Sequence, residues 1–197
     1  NYKKLDHIYS ISQAVADDIK TRQGISSDVI LNGINFDDIK SNPLSYSSSD
    51  IFRIVQTGRL DCSIKGQDIM AQAVAILSKG GRDVSVDFIG EPYDEKKIEE
   101  LSARLGVSDR IHILGRKNRK KIYDSLCTYH LGAMPSRYEG FGLTLVEAMA
   151  AKIPVVATNV DGPAEILMNN RYGLLCKPED PEDLAHAIAS IMDNYPQ

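Results

Sequence analysis

The chain has 197 residues, of which 43% are hydrophobic and 25% are charged, proportions that are ordinary for a globular protein. Its formal net charge is −4, which gives no overall attraction to nucleic acid or to an anionic membrane surface. Its three cysteines, Cys62, Cys127 and Cys176, are odd in number and far apart, a spacing that excludes a disulfide framework and the usual cysteine metal sites.

The sequence contains no hydrophobic run near the roughly 18 residues of a membrane span, and no signal peptide opens it. The cysteines are typical of reduced thiols in a cytosolic protein. We therefore expect a cytoplasmic location, with peripheral association at the inner face of the membrane left open. Because the first residue is Asn1 rather than Met, we expect residues 1–197 to be a single domain excised from a longer protein.

Apolar runs and helix-forming segments alternate along the chain. Short runs rich in β-branched residues predict strands at residues 8–11, 29–31, 51–57, 84–89, 111–114, 130–134, 154–158 and 173–176. Caps and helical periodicity predict helices at residues 13–22, 94–105 and 143–151, after Gly66, near residue 119, from Asp161 and from Pro181. Residues 41–50 are rich in serine and predict a surface loop. This alternation indicates an α/β fold, a Rossmann-like parallel sheet with helices on both faces.

Two loops of this predicted sheet carry candidate ligand contacts. In the first, Gly58, Arg59 and Lys65 lie between the end of a strand and the start of a helix, where open α/β sheets form their ligand crevice. Taken singly, either cation is more often a solvated surface charge.

The second loop joins the strand at 130–134 to the helix at 143–151. A helix that begins at the carboxyl edge of a sheet presents unpaired N–H groups and a positive dipole end to an anion, typically a phosphate. The candidate binding residues of this loop are Gly140, Phe141, Gly142, Leu143 and Thr144.

Two acids bracket the glycine loop, Glu139 before it and Glu147 within the otherwise apolar helix. A buried carboxylate is costly unless it is hydrogen-bonded, so Glu147 is a candidate ligand contact. The residue pattern is equally consistent with Glu139 as a solvated loop residue and Glu147 as a complement to the helix dipole.

The dense basic run at residues 116–121 is short and has no interleaved aromatic residues, so nucleic-acid binding is not expected. The four histidines show neither metal spacing nor the context of a catalytic triad. No acidic cluster suited to a divalent ion is evident, and we expect no metal cofactor.

The order Glu-Gly-Phe-Gly-Leu-Thr-Leu-Val-Glu at residues 139–147, followed by Ala-Met-Ala-Ala-x-x-Pro-Val-Val-Ala, resembles the signature of retaining glycosyltransferases with the GT-B fold. These group 1 enzymes carry two glutamates eight positions apart. The order Gly-Arg-Leu followed by Lys-Gly at residues 58–66 resembles a second motif of the same family.

The resemblance implies a fold and a set of roles. The chain would be the C-terminal half, which holds a nucleotide-sugar donor such as a UDP or GDP sugar for polysaccharide biosynthesis. Arg59 and Lys65 would contact the diphosphate, Glu147 the ribose and Glu139 the donor sugar. Arg116 and Lys117 correspond to a variable segment that flanks the base.

The resemblance also implies what the chain lacks. A saccharide or lipid-linked acceptor would be held by an N-terminal domain that is absent here, so the isolated chain should not transfer sugar. Asp161 and Ala164 depart from the family pattern, and no sugar-binding role is carried onto them.

Several competing interpretations can be weighed. A dehydrogenase needs Gly-x-Gly-x-x-Gly after its first strand, and here the glycines come late and the third is missing. A glycoside hydrolase would use two carboxylates but would have no need of a phosphate loop between them. A nucleotide-sugar epimerase of the same fold and a non-catalytic nucleotide-binding module remain as alternatives.

Overall fold

The computed structural model describes residues 5–41 and 44–195. Their strands, numbered in chain order, are β1 (Tyr9–Ser10), β2 (Asp28–Val29), β3 (Phe52–Thr57), β4 (Val84–Ile89), β5 (Ile111–Ile113), β6 (Leu131–Met134), β7 (Val155–Thr158) and β8 (Leu174–Cys176). The α-helices are α1 (Gln13–Gln23), α2 (Cys62–Lys65), α3 (Gln67–Lys79), α4 (Glu95–Leu105), α5 (Arg119–Ser125), α6 (Leu143–Ala150), α7 (Asp161–Leu167) and α8 (Pro181–Asp193).

Strands β3 to β8 form one parallel sheet in the order β5-β4-β3-β6-β7-β8. The chain builds outward from β3 to one edge, then returns to the centre and builds outward to the other. The strand order therefore reverses between β3 and β6, and in sheets of this kind ligands bind beyond the carboxyl ends of the strands at that switch point.

Apolar side chains fill both faces of the sheet, as expected for parallel strands covered by helices. On one face, Phe52 and Ile54 of β3 pack with residues of α3, α4 and α8. On the other, Val55 packs with residues of α5, α6 and α7. Both sets are almost fully buried, so the sheet is held rigidly from both sides and its loops have a fixed base.

The first part of the chain stands apart from this sheet. Strands β1 and β2 pair in parallel as a separate two-stranded sheet, and α1 lies against α7. Ser12 caps α1 by accepting a hydrogen bond from the N–H of Val15, and Gly24 ends it in the left-handed conformation. The carboxylate of Glu165 accepts from the N–H of Gln13 at 2.9 Å, which joins this segment to α7.

The predicted α/β fold with a parallel sheet and helices on both faces is confirmed. Most predicted bounds lie within one or two residues of the observed ones, as for the strand at 84–89 and the helix at 94–105. The strand predicted at 29–31 is observed as β2 at Asp28–Val29, so Ile30 and Leu31, which are more than half exposed, lie beyond its end. The predicted loop at 41–50 includes residues 42 and 43, which lie outside the described residues.

Among the described helices, none has the length and apolar character needed to cross a bilayer.

Candidate active site

A cleft of about 280 Å³ opens at the switch point, between the loops that follow β3 and β6. It gathers seven of the residues predicted from sequence: Gly58, Lys65, Glu139, Phe141, Gly142, Leu143 and Thr144. The carboxyl ends of β3 and β6 supply its floor through Gln56 and Ser136, and Ile11 and Asn32 of the N-terminal segment complete its wall.

The loop after β3 carries Lys65 to the cleft on the short helix α2. Gly58 begins this loop with a φ of 140°, a conformation that side chains other than glycine rarely adopt. Gly66 ends α2 in direct contact with the loop after β6, because a Cβ there would lie 2.0 Å from the carbonyl oxygen of Pro135. The two loops are therefore packed backbone to backbone, and Lys65 has little freedom to move away.

Lys65 forms an ion pair with Glu139 across the cleft, with Nζ 2.6 Å from Oε2. Only 26% of the lysine side chain and 17% of the glutamate side chain are exposed. Partial burial strengthens such a pair relative to one in open solvent. A cation and an acceptor for hydroxyl groups thus stand side by side, where a charged ligand with hydroxyl groups could engage both.

The glycine loop between Glu139 and α6 leads into an open helix start. Gly142 is the N-cap of α6 with a φ of 108°, and no side chain caps the helix there. The loop is held from behind by Gly162, where a Cβ would lie 2.3 Å from the carbonyl oxygen of Phe141. Ser12 fixes its other side by donating from Oγ to the carbonyl of Gly140 at 2.6 Å. The helix start thus faces the cleft with its N–H groups available to an anion.

Arg137 joins the two loops and was assigned no role from the sequence. Its guanidinium donates to both carboxylate oxygens of Asp68, at 2.8 and 2.9 Å, to both oxygens of Glu179, and to the carbonyl of Cys62. All five N–H donors are thereby used. The hydrogen bonds to Asp68, followed by those to Glu179, raise the pKa of Arg137. Because Asp68 and Cys62 flank Lys65 in the chain and Arg137 lies two residues before Glu139, this clamp sets the spacing of the ion pair.

Glu147 lies on α6, the helix that follows the glycine loop, and its surroundings differ from those of Glu139. The hydroxyl of Tyr123 donates to its Oε1 at 2.8 Å, and Tyr123 itself is only 4% exposed. Burial raises the pKa of Glu147, opposed by the Tyr123 hydrogen bond and by Arg119. Burial together with Glu147 raises the pKa of Tyr123 to about 12, so the phenol stays a donor. Glu147 does not line the cleft that holds Lys65.

Three predicted cations lie at the rim or beyond it. Arg59 is exposed, with Nη2 3.3 Å from Asp61 and its guanidinium carbon 5.4 Å from the ring centre of Tyr93. Arg116 is exposed and lies 3.6 Å from Glu91, and Lys117 is exposed as well. The structure does not bring these three side chains into the cleft, so their predicted contacts with a ligand stay predictions. Among the described residues, no group of three or more histidine, cysteine or acidic side chains could hold a metal ion.

Comparison with known proteins identifies the family. The family model described as "Glycosyl transferases group 1" matches residues 45–197. This chain belongs to the group 1 glycosyltransferase family. The matched stretch contains both cleft loops, so the family assignment rests on the part of the chain that carries the candidate site.

Relatives of this group 1 chain include longer glycosyltransferases, which it matches over half of their length or less. An uncharacterized glycosyltransferase of Methanocaldococcus jannaschii is 30% identical over 189 residues, which cover 96% of this chain and 50% of the relative. The alpha-D-kanosaminyltransferase of Streptomyces kanamyceticus is 27% identical over 149 residues, covering 76% and 38%. The chain thus spans about half the length of these curated relatives or less.

Solved structures agree on the fold. Anabaena HepE, solved in complex with UDP and glucose, is 25% identical with a TM-score of 0.85, over 95% of this chain and 54% of the neighbour. The sucrose-phosphate synthase of Thermosynechococcus elongatus is 22% identical with a TM-score of 0.83, over 97% and 50%. The group 1 chain therefore has the architecture found in GT-B glycosyltransferases.

Sequence reasoning missed four residues of the group 1 site: Arg137, Tyr123, Gln56 and Ser136. Two of them carried a signal. Arg137 lies in the stretch that leads into the glycine loop, and Gln56 is a polar residue in an apolar strand. Tyr123 carried none, since only the fold brings it from α5 to Glu147.

Proposed function

We propose that this chain binds the nucleotide-sugar donor of a retaining glycosyltransferase and stabilises the diphosphate that leaves during transfer. The observation that carries the proposal is the Lys65–Glu139 pair, which lies in a cleft lined by the open start of α6. A diphosphate needs cations and N–H donors, and a sugar needs acceptors for its hydroxyl groups. The cleft supplies both within a few ångströms.

The leaving group sets the electrostatic demand of the reaction. Positive charge develops at the anomeric carbon and negative charge on the departing diphosphate as the glycosidic bond breaks. Lys65 and the N–H groups at Gly142, Leu143 and Thr144 would stabilise that negative charge, because donors that are fixed in advance need no reorganisation. Arg59 would join them by leaving Asp61 for the phosphate.

The two glutamates would hold different parts of the donor. Glu139 lies in the cleft beside Lys65 and would accept from sugar hydroxyls. Glu147 lies one turn along α6 from Leu143 and would accept from the ribose, with Tyr123 holding one of its oxygens. Arg116 and Lys117 would flank the base from the loop after β5.

The donor is proposed to be a UDP or GDP sugar that carries a hexose, used in the synthesis of a polysaccharide or related glycan. Anabaena HepE has been solved in complex with UDP and with UDP-glucose, which supports a nucleotide ligand in this fold. A divalent ion is not needed in this scheme, because protein cations and N–H groups neutralise the diphosphate.

The acceptor is proposed to bind to a part of the enzyme outside this chain. The chain spans about half of its Methanocaldococcus jannaschii relative, and the cleft residues described above would provide donor contacts alone. A saccharide or a lipid-linked acceptor would then meet the donor between two halves. The enzyme would act in the cytoplasm or at the inner face of the membrane, and this chain alone would not transfer sugar.

Family membership favours transfer over the epimerase alternative. A non-catalytic nucleotide-binding module would keep the same phosphate contacts. The two differ in whether an intact enzyme containing this chain transfers sugar to an acceptor.

Calorimetry with ADP, GDP and UDP and an acceptor-dependent transfer assay test the proposal together. We expect this chain to bind one of the diphosphates and to transfer nothing, and an enzyme with both halves to release that diphosphate only when acceptor is present. Absence of binding to every diphosphate would contradict the donor-binding role. Robust transfer by this chain alone would contradict the two-half scheme.

A further inference from the structure

Two polar side chains in the floor of the cleft have atoms without partners. Gln56 is the penultimate residue of β3 and is 4% exposed, and Ser136 follows β6 and is 1% exposed. Both line the cleft. Among the described residues, neither Oε1 of Gln56 nor Oγ of Ser136 has a hydrogen-bond partner. Buried polar atoms are rarely left so, because the loss of water is then not compensated.

The orientation of both groups is fixed by the surrounding backbone. The side-chain Nε2 of Gln56 donates to the carbonyl of Lys65 at 2.7 Å. A carbonyl only accepts, so the amide nitrogen must face it and Oε1 is turned elsewhere. Thr158 donates from Oγ1 to the carbonyl of Ser136, which holds that residue in place. Both free atoms are therefore held in fixed positions, in residues that line the cleft.

The chemistry of the two atoms selects the ligand group that can satisfy them. An amide oxygen only accepts hydrogen bonds, and the oxygens of an ionised diphosphate also only accept, so the two cannot pair. A sugar hydroxyl both donates and accepts. Hydroxyl groups of a sugar can therefore donate to Oε1 of Gln56 and accept from Oγ of Ser136.

We propose that Gln56 and Ser136 form a hydroxyl-binding subsite in the floor of the cleft, which recognises the sugar part of the ligand. The inference rests on the proposed nucleotide-sugar function and adds to it two specificity-determining residues. Together with Glu139 above them, they would surround the sugar with neutral and charged acceptors.

The chain offers a matched control in Gln67. This glutamine is 1% exposed, donates from Nε2 to the carbonyl of Arg59 at 3.0 Å, and also has an unpartnered Oε1 among the described residues. It differs from Gln56 in lying outside the cleft. Each glutamine donates to the backbone carbonyl of one candidate phosphate-binding cation, Gln56 to that of Lys65 and Gln67 to that of Arg59. A comparison of the two variants therefore distinguishes the loss of loop support from the loss of a ligand contact.

The test measures the affinities of Gln56→Leu, Ser136→Ala and Gln67→Leu for ADP, GDP and UDP and for their glucose conjugates. A lost hydrogen bond that leaves a buried partner unsatisfied lowers affinity by roughly five- to tenfold or more. We expect Gln56→Leu to lose that much for the glucose conjugate and less than about twofold for the diphosphate. Ser136→Ala should show the same selectivity, and Gln67→Leu should leave the ratio of the two affinities as in the parent.

Each other outcome contradicts a defined part of the scheme. If Gln56→Leu weakens diphosphate and conjugate equally, Gln56 acts only by holding Lys65 and the subsite is wrong. If Gln56→Leu and Ser136→Ala both bind the conjugate like the parent, the subsite is wrong as well, while the donor-binding role stands. If the parent binds no diphosphate, the proposed function fails and the subsite fails with it. Melting temperatures of all three variants, with Gln67→Leu as the reference, identify any loss that comes from unfolding.

Discussion

The two glutamates at either end of the glycine loop and α6 have opposite surroundings. Glu139 faces a cation, with Lys65 2.6 Å away, inside the cleft. Glu147 is buried against a neutral phenol, the hydroxyl of Tyr123, and burial raises its pKa. One acid is held by charge and the other by a hydrogen bond at a cost in solvation. The same residue type is therefore paired with a cation inside the cleft in one case and with a neutral donor outside it in the other.

The largest effect is expected where both cleft loops are tied together. Arg137→Met leaves Asp68 and Glu179 without their partner, and the loss of a largely buried multiple ion pair should lower the free energy of unfolding by about 2 kcal/mol or more. The melting temperature should fall by several degrees, and affinity for a nucleoside diphosphate should fall with it. Arg82→Met is the matched control, because Arg82 forms a two-bond pair with Asp193 far along the chain. If that variant loses as much ligand affinity, Arg137 has no special role in the cleft.

The next largest effect is expected at Lys65, the cation that is paired with Glu139. Lys65→Ala should weaken diphosphate binding by about tenfold or more, since a charge-assisted hydrogen bond contributes roughly 1.5–3 kcal/mol. Arg59→Ala should weaken it less, because Arg59 is exposed and must first leave Asp61. Both effects should shrink at high salt. Calorimetry at two salt concentrations checks this, and an equal or larger effect at Arg59 would mean that the exposed rim is the main phosphate site.

For the Glu147 site, affinity and stability should change in opposite directions. Glu147→Gln should weaken nucleoside diphosphate and nucleotide sugar together, by about tenfold, because both carry ribose. The folded-state pKa of Glu147 is raised by burial, so its contribution to stability is favourable at low pH and is lost as the pH rises through that pKa. The variant should therefore melt at a higher temperature than the parent at neutral pH, with the gain disappearing on acidification.

Melting curves at several pH values and parallel titrations measure both effects. A lower melting temperature at neutral pH with unchanged affinity would show that Glu147 only supports the helix.

The smallest change is expected at Glu139 with a ligand that lacks the sugar. Glu139→Gln frees Lys65 from its partner, so diphosphate affinity should stay level or rise by up to a few-fold, while affinity for the nucleotide sugar should fall. Equal losses for the two ligands would contradict the assignment of Glu139 to the sugar.

A chelator such as EDTA should change the affinity for neither the diphosphate nor the nucleotide sugar, and a large loss on chelation would show that a divalent ion takes part.

The fold was readable from the sequence because the strand at 84–89 alternates apolar and polar residues, the strand at 154–158 is apolar on both faces, and most helices carry local start or stop signals. Helix α2 was not predicted, since four residues show no periodicity. The residues of the candidate site could be predicted only where they lie within a continuous sequence motif. The contacts of Arg137 with Asp68 and of Tyr123 with Glu147 join residues 69 and 24 positions apart, and no local pattern reports them. Ser136 was missed for the same reason. Gln56 carried a local signal as a polar residue in an apolar strand, but only the fold shows that it lies beside Ser136 at the cleft.

The reversal of strand order at the cleft also governs how the protein folds. Strand β3 pairs with β4, its neighbour in the chain, but its other partner β6 begins much later: the hydrogen bond from Arg53 to His130, at the start of that pairing, spans 77 residues. Closing a long loop costs conformational entropy before any contact across it can form. Pairings between strands that are far apart in the sequence therefore form late and slow the folding of the domain. During synthesis the first three strands of the sheet emerge as one unit with an unpaired, apolar edge at β3. The candidate site is consequently incomplete until β6 has been made, and until then β3 presents an unpaired strand edge, a template for aggregation.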